Sequence, residues 1–157
     1  MFFSLLKKQE VMSLIEKLEF YYDCNLNFLK KYTFYLSKAN KVYIANFDVS
    51  KLDLKRINSI GLYFGTFHDE RFRLSIEGTK FVDAKQNFIE LNEKSFKSFI
   101  CAENLFKNEV DNVFWNNNCP FLIVKFKGEN LGCVSIKNNQ ILNYTPKSRK
   151  LDFNKVF

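Results

Sequence analysis

The sequence has little of what most enzymes use. Among its 157 residues it has one histidine, His68, and histidine is the side chain most often recruited as a general base near neutral pH. It has no Gly-rich phosphate loop, no Ser or Cys nucleophile motif and no paired acid cluster. The four cysteines, Cys24, Cys101, Cys119 and Cys133, are scattered, with no Cys-x-x-Cys pair. With a single histidine they do not compose a zinc site, so neither metal nor cofactor is expected. Reduced thiols and an intracellular, cytoplasmic setting are expected instead, nucleolar if the source is eukaryotic. With only 5 glycines and 2 prolines, no stretch reads as a long linker or a low-complexity segment. No apolar run reaches the about 18 residues that mark a membrane span. The opening MFFSLLKKQE has no charged region before its apolar start and no small-residue cleavage site, which makes it a poor signal peptide.

What is present is apolar, aromatic and basic. The chain is 46% hydrophobic and 17% aromatic, enough for a core in one domain or in two small domains packed together. Its 19 phenylalanines report nucleotide bias as readily as function. The net charge is +7, and residues 119–157 carry seven basic side chains against two acidic ones. A basic terminal quarter suits nucleic acid or another anionic surface. A lysine-rich composition produces the same balance without a partner.

Along the chain, Val11, Leu14, Ile15, Leu18 and Tyr22 follow helical spacing and predict an amphipathic helix over Glu10–Tyr22. A short helix is expected at Leu26–Lys31. Phe34–Ser37 and Val42–Ala45 read as a hairpin, Ser50–Ile57 as a helix with a basic surface, and Ile60–Phe67 as a strand. Gly61 and Gly65 inside that strand suggest a bulge or close backbone approach. His68-Asp-Glu70 reads as a turn, which leaves His68 on the surface. Phe72, Leu74 and Ile76 then alternate with Arg71, Arg73 and Ser75, so the two arginines share the face away from the core. That face is either ornament or a surface for phosphates. Phe88–Leu91 predicts a strand, and Asn92 a cap for a helix over Glu93–Cys101. Asp111–Asn118 reads as a polar loop around Phe114 and Trp115.

The C-terminal stretch is richest in pattern. Leu122, Val124 and Phe126 alternate with Ile123, Lys125 and Lys127, a strand with two different faces. Gly128–Asn130 signals a turn, Leu131–Lys137 a second strand, and Ile141–Tyr144 a short third one. Pro146 lacks an N–H and ends the ladder. Lys147, Arg149 and Lys150 then sit on a turn or edge, either as a solvated rim or within reach of a partner.

Two resemblances follow from these residues. Gly128-Glu-Asn-Leu-Gly132, with Asn143-Tyr-Thr-Pro146-Lys147 and Arg149, resembles the end of the PUA-like domain associated with RNA cytosine-5 methyltransferases of the NOL/NOP/sun type. The first half resembles the Nip-type ribosome-biogenesis proteins. The residues that carry this second likeness are Lys17-Leu18, Tyr22, Leu26, Leu29 and Val42-Tyr43, then Gly61-x-x-x-Gly65-x-Phe67 and Phe72-Arg73-Leu74-x-Ile76. The sequence departs from the PUA pattern at Ala102, where such domains carry a glycine near the contacting turn. The methyltransferase chemistry itself has no counterpart. No S-adenosylmethionine loop exists, and Cys119-Pro120 reverses the Pro-Cys context.

Together these imply an α+β fold, with an N-terminal α/β domain (1–78) packed on a C-terminal PUA-like β pseudo-barrel (79–157). The expected function is non-catalytic binding of structured RNA, rRNA or tRNA, in rRNA processing, ribosome assembly or RNA modification; neither DNA nor a membrane is expected as a partner. On this expectation Lys147, Arg149 and Lys150 neutralise phosphates, and Asn143 and Tyr144 contact a base or close the structure. Lys125, Lys127 and Lys137 extend the basic face, with Arg71 and Arg73 as a second patch. Two alternatives stand beside it. One is an interaction module serving an RNA methyltransferase or assembly factor. The other is a small-ligand binder or enzyme on a PUA-related fold.

Overall fold

The computed structural model describes residues 2–46, 53–54, 56–57 and 59–156. The helix expected at Ser50–Ile57 falls largely outside the described residues.

The first half opens with a short strand, β1 (Phe3–Leu5), which sequence pattern did not indicate. Helix α1 (Lys8–Tyr22) follows, its entry fixed by the Lys7 N–H donating to the Glu10 carboxylate at 2.7 Å. It buries Leu14, Ile15, Leu18 and Tyr22, the stripe predicted from spacing. A 3-10 turn (Asn27–Lys31) stands where a second short helix was expected. Then come β2 (Thr33–Ser37), β3 (Lys41–Ala45), β4 (Leu62–His68) and β5 (Arg71–Leu74). The five strands form one antiparallel sheet in the order β1-β2-β3-β4-β5. The register between β3 and β4 shifts after Val42, which faces Gly65 while Tyr43 faces Tyr63. Gly65 is there because of crowding: a Cβ on it would stand 2.5 Å from the Phe72 ring and 2.6 Å from the Arg73 carbonyl. The glycine thus lets β5 and its aromatic ring close onto β4.

After Leu74 the expected strand stops. Ser75 caps a single helical turn, α2 (Ile76–Thr79), accepting from the Gly78 N–H at 2.8 Å while its own hydroxyl donates to the Tyr63 carbonyl at 2.6 Å. Ile76 is in phase with Phe72 and Leu74, but the cap overrides the alternation.

The second sheet is built from β6 (Phe88–Glu90), β7 (Leu105–Phe106), β8 (Asn112–Phe114), β9 (Leu122–Phe126), β10 (Glu129–Lys137) and β11 (Gln140–Asn143). Its order is β7-β11-β10-β9-β6-β8, antiparallel except where β6 runs parallel to β9. With this curled half-barrel beside the first sheet and the helices, the fold is α+β. Helix α3 (Glu93–Ile100) crosses from β6 towards β7, with Asn92 accepting from the Ser95 N–H at 2.9 Å as the sequence indicates. β8 lies within the segment read as a polar loop and pairs with β6 as an edge strand. A last helical turn, α4 (Phe153–Val156), ends the described chain. Both hairpin turns, Lys127-Gly128 and Asn138-Asn139, have positive φ at both central residues, which matches the twist of the flanking strands. No described helix is long and apolar enough to cross a membrane.

The core explains how the halves join. Leu122 and Val124 belong to the barrel cluster with Ile89, Leu91, Phe99, Leu105, Val134 and Ile141. Ile123, between them, belongs to the other cluster, with Leu14, Leu18, Tyr22, Phe64 and Phe72 of the first half. β9 is therefore buried on both faces, which accounts for its Leu-Ile-Val run. Tyr22 donates across this joint to the Phe121 carbonyl at 2.9 Å, and the Asn130 amide donates to the Thr79 and Val82 carbonyls at 2.6 and 2.7 Å. The thiols of Cys119 and Cys133 are buried in the same place and pushed up to about 11 and about 12, chiefly by desolvation. They stay protonated at neutral pH, the unreactive form.

Candidate nucleic-acid interface

β5 is the last strand of its sheet and ends beside the chain that leaves β11. Its alternation buries Phe72 and leaves Arg71 exposed and Arg73 half-buried. The Arg73 guanidinium lies over the Tyr144 ring, 4.3 Å from its centroid, and 5.8 Å from that of Phe121. Tyr144 is held in place by its hydroxyl, 2.7 Å from Ser135 Oγ, and meets Phe121 edge-on. Pro146 turns the chain into a 3-10 segment, Lys147–Arg149. From there Arg149 pairs with the Glu77 carboxylate of α2. Arg73, Tyr144 and Arg149 thereby line one cleft of about 170 Å³ at the seam, with Tyr63, Glu77 and Pro146 among its walls. Among the described residues Glu77 is the one carboxylate in that lining. Lys147 and Lys150 are exposed on the same terminal segment.

His68 ends β4 next to these arginines. It is half-buried, not on an open turn, and its ring stands 6.1 Å from Phe121. Desolvation, then Arg73 and Arg71, lower its pKa and favour the neutral ring. Its Nε2 is buried with no hydrogen-bond partner.

Residues 5–76 match the family model of the NIP7/UPF0113 pre-PUA domain. The solved structure of a conserved PUA domain protein from Thermoplasma acidophilum aligns with 90% of this chain and 81% of its own, with a TM-score of 0.60 at 10% identity. At that identity the likeness shows the fold, and the fold is that of a PUA domain protein. The first half is thus similar to the Nip7-type pre-PUA domain, and the fold is of PUA type. No curated protein sequence matches it.

The remaining residues singled out from the sequence lie elsewhere in this PUA-type fold or are engaged by it. Asn143 holds the scaffold together. Its amide donates to the Phe99 and Glu103 carbonyls at 2.8 and 3.0 Å, and its Oδ1 accepts from the Thr145 N–H at 2.9 Å. It fastens β11 to the C-terminal end of α3, so both amide hydrogens are committed and none is left for a base or sugar. Ala102, in that same turn, has φ +60°, so the left-handed conformation suited to glycine persists without the glycine.

Lys125 does not extend an exposed basic face. It shares the inward face of β9 with Ile123 and is 16% exposed; its ammonium donates to the Ala84 carbonyl at 2.7 Å and lies 4.3 Å from the Phe88 ring centroid. Lys127 is exposed in the β9–β10 turn and pairs with Glu93 at 2.7 Å, which lowers the Glu93 pKa. Lys137 is exposed at the far end of β10, about 27 Å of strand from that turn. Arg71, Arg73, Tyr144, Lys147, Arg149 and Lys150 therefore come together, whereas Lys125 and Lys127 stand apart from them. The pattern gave no hint of Glu77, which lies 72 residues from Arg149. Trp115 is half-buried, with its indole N–H donating to the Cys119 carbonyl at 3.0 Å. Among the described residues no group of three or more His, Cys, Asp or Glu side chains is placed to hold a metal.

Proposed function

We propose that the protein binds structured RNA without catalysis and acts in ribosome assembly, with rRNA as the favoured target and tRNA as the other. The observation that carries this reading is the seam cleft, where Arg73 from the pre-PUA half meets Tyr144 and Arg149 from the PUA-like end. Exposed Arg71, Lys147 and Lys150 flank it and neutralise phosphates. Duplex RNA hides its base edges in a deep groove, so a protein reads its shape, its backbone and nearby unpaired bases. The fixed Tyr144 ring, covered by Arg73, offers an aromatic and guanidinium platform for such a base. Glu77 holds Arg149 in place and keeps the cleft from being uniformly cationic. The family match over residues 5–76 supports the same reading.

Crosslinking in cells of origin, with sequencing of the recovered RNA, tests it. A sharp rRNA peak is expected. A tRNA peak moves the role to tRNA modification, and diffuse or absent crosslinks overturn RNA binding.

A further inference from the structure

The opposite edge of the first sheet carries a second concavity, unrelated in chemistry to the seam. It lies between β1, the first turn of α1 and the start of β2, with a volume of about 310 Å³. Its floor is apolar, mostly aliphatic from Leu5, Val11 and Met12 with Tyr32 and Phe34 beside them, and Leu5 and Met12 are 54% and 37% exposed. Lys8 and Lys30 stand in its wall, both exposed, and among the described residues no carboxylate lines it. Neither lysine has an ion-pair partner among the described residues.

We propose that this groove docks an acidic peptide segment of a partner protein, anchored by aliphatic side chains. The argument is complementarity of two kinds. Leaving aliphatic side chains open to water is unfavourable, and an apolar anchor removes that surface. The two ammonium groups in its wall, without an ion-pair partner among the described residues, select for carboxylates flanking the anchor and against a basic segment. RNA fits less well, because two lysines meet few phosphates and the exposed Leu5 and Met12 side chains would stay open to water. The groove is on β1 and β2 while the seam cleft is on β4 and β5, so four strand spacings, about 19 Å, separate the two edges. Both can be filled at once, and the groove does not depend on the RNA reading.

The test uses the full chain and two fluorescein-labelled amphipathic peptides, one of leucine and glutamate, its twin of leucine and lysine. The glutamate peptide is expected to bind about tenfold or more tighter than its twin, the worth of two flanking charge pairs. Its titration is expected to shift the backbone amide signals of Leu5, Val11 and Met12. In the double variant Lys8→Glu with Lys30→Glu, both positions being exposed, the preference is expected to invert. Equal binding of the two peptides, or shifts confined to other surfaces, overturns the proposal. So does a groove filled by a second copy of the chain, seen as concentration-dependent dimerisation with the same shifts and no peptide. A response of those three signals to RNA in place of peptide likewise overturns it.

Discussion

Two cationic regions look alike in sequence and differ in the fold. At the seam, Arg73 and Arg149 face a single carboxylate, Glu77, with Lys147, Lys150 and Arg71 exposed beside them. Around the β9–β10 turn, Lys125 and Lys127 share a surface depression with three carboxylates, Glu90, Glu93 and Asp111. One lysine there is turned inward onto a carbonyl and the other is ion-paired. The lesson is that a count of lysines does not define an anion site. What decides is whether each cation still has unspent hydrogen-bonding and charge capacity facing solvent. By that measure the seam qualifies and the turn does not.

The comparison can be broken most visibly at Lys125. Replacing it with alanine leaves the largely buried Ala84 carbonyl without its donor, at a cost of about 1–3 kcal/mol. A thermal midpoint lowered by several degrees is expected, with RNA affinity unchanged at temperatures where the variant is folded. A loss of affinity with an intact midpoint would make Lys125 an RNA contact after all.

Asn143→Ala sharpens the seam side. It removes three hydrogen bonds between β11, α3 and the turn that follows, and a destabilisation of about 2 kcal/mol is expected in chemical denaturation. RNA affinity is expected to follow the folded fraction only. An affinity loss in fully folded variant protein would assign Asn143 a contact.

The seam also predicts a pH response. The His68 pKa is lowered in the folded chain, so the unfolded chain binds the extra proton first. Stability is fully present above the unfolded value of about 6.5 and is lost as pH falls through the folded value. Glu93, lowered by Lys127, gives a loss of the same sign at lower pH, as the medium passes from its ordinary carboxylate range down through its folded value. His68→Gln is expected to flatten the first of these steps in denaturation curves taken between about pH 7 and 5. An unchanged step would place its origin elsewhere.

The smallest effect is expected at the α3–β7 turn. Ala102→Gly relieves a left-handed alanine, and after the larger chain entropy of glycine is subtracted a gain of about 0.5–1 kcal/mol remains. A lowered midpoint would show that the alanine methyl makes a packing contribution of its own.

These sites also show what the sequence could reveal. α1, the Asn92-capped α3, the β2–β3 hairpin and β9 to β11 were legible, because periodicity, caps and turn residues are local signals. The placement of Arg71 and Arg73 on one face followed from period two. β8 was not legible, since an edge strand with exposed Asn112 and Phe114 has no apolar alternation to announce it. α2 was hidden because Ile76 keeps the strand phase, and only the Ser75 cap breaks it. The fate of Lys125 was hidden for a different reason. Its face of β9 is covered by the rest of the fold, and lysine at that position reads as solvent-facing until the docking is known. The Arg149–Glu77 pair and the Arg73–Tyr144 stack likewise join residues with no local relation.

The most direct test of the account compares two charge-reversal triples in one RNA-binding titration over salt concentration. One is Arg71→Glu with Lys147→Glu and Lys150→Glu, and the other is Lys125→Glu with Lys127→Glu and Lys137→Glu. The seam triple is expected to lose about a hundredfold in affinity or more and to flatten the dependence of log affinity on log salt by about 2, as three phosphate contacts vanish. The second triple, measured on its folded fraction, is expected to retain both affinity and slope within about threefold. Loss of binding in the second triple with retention in the first would contradict the assignment of the seam as the RNA surface.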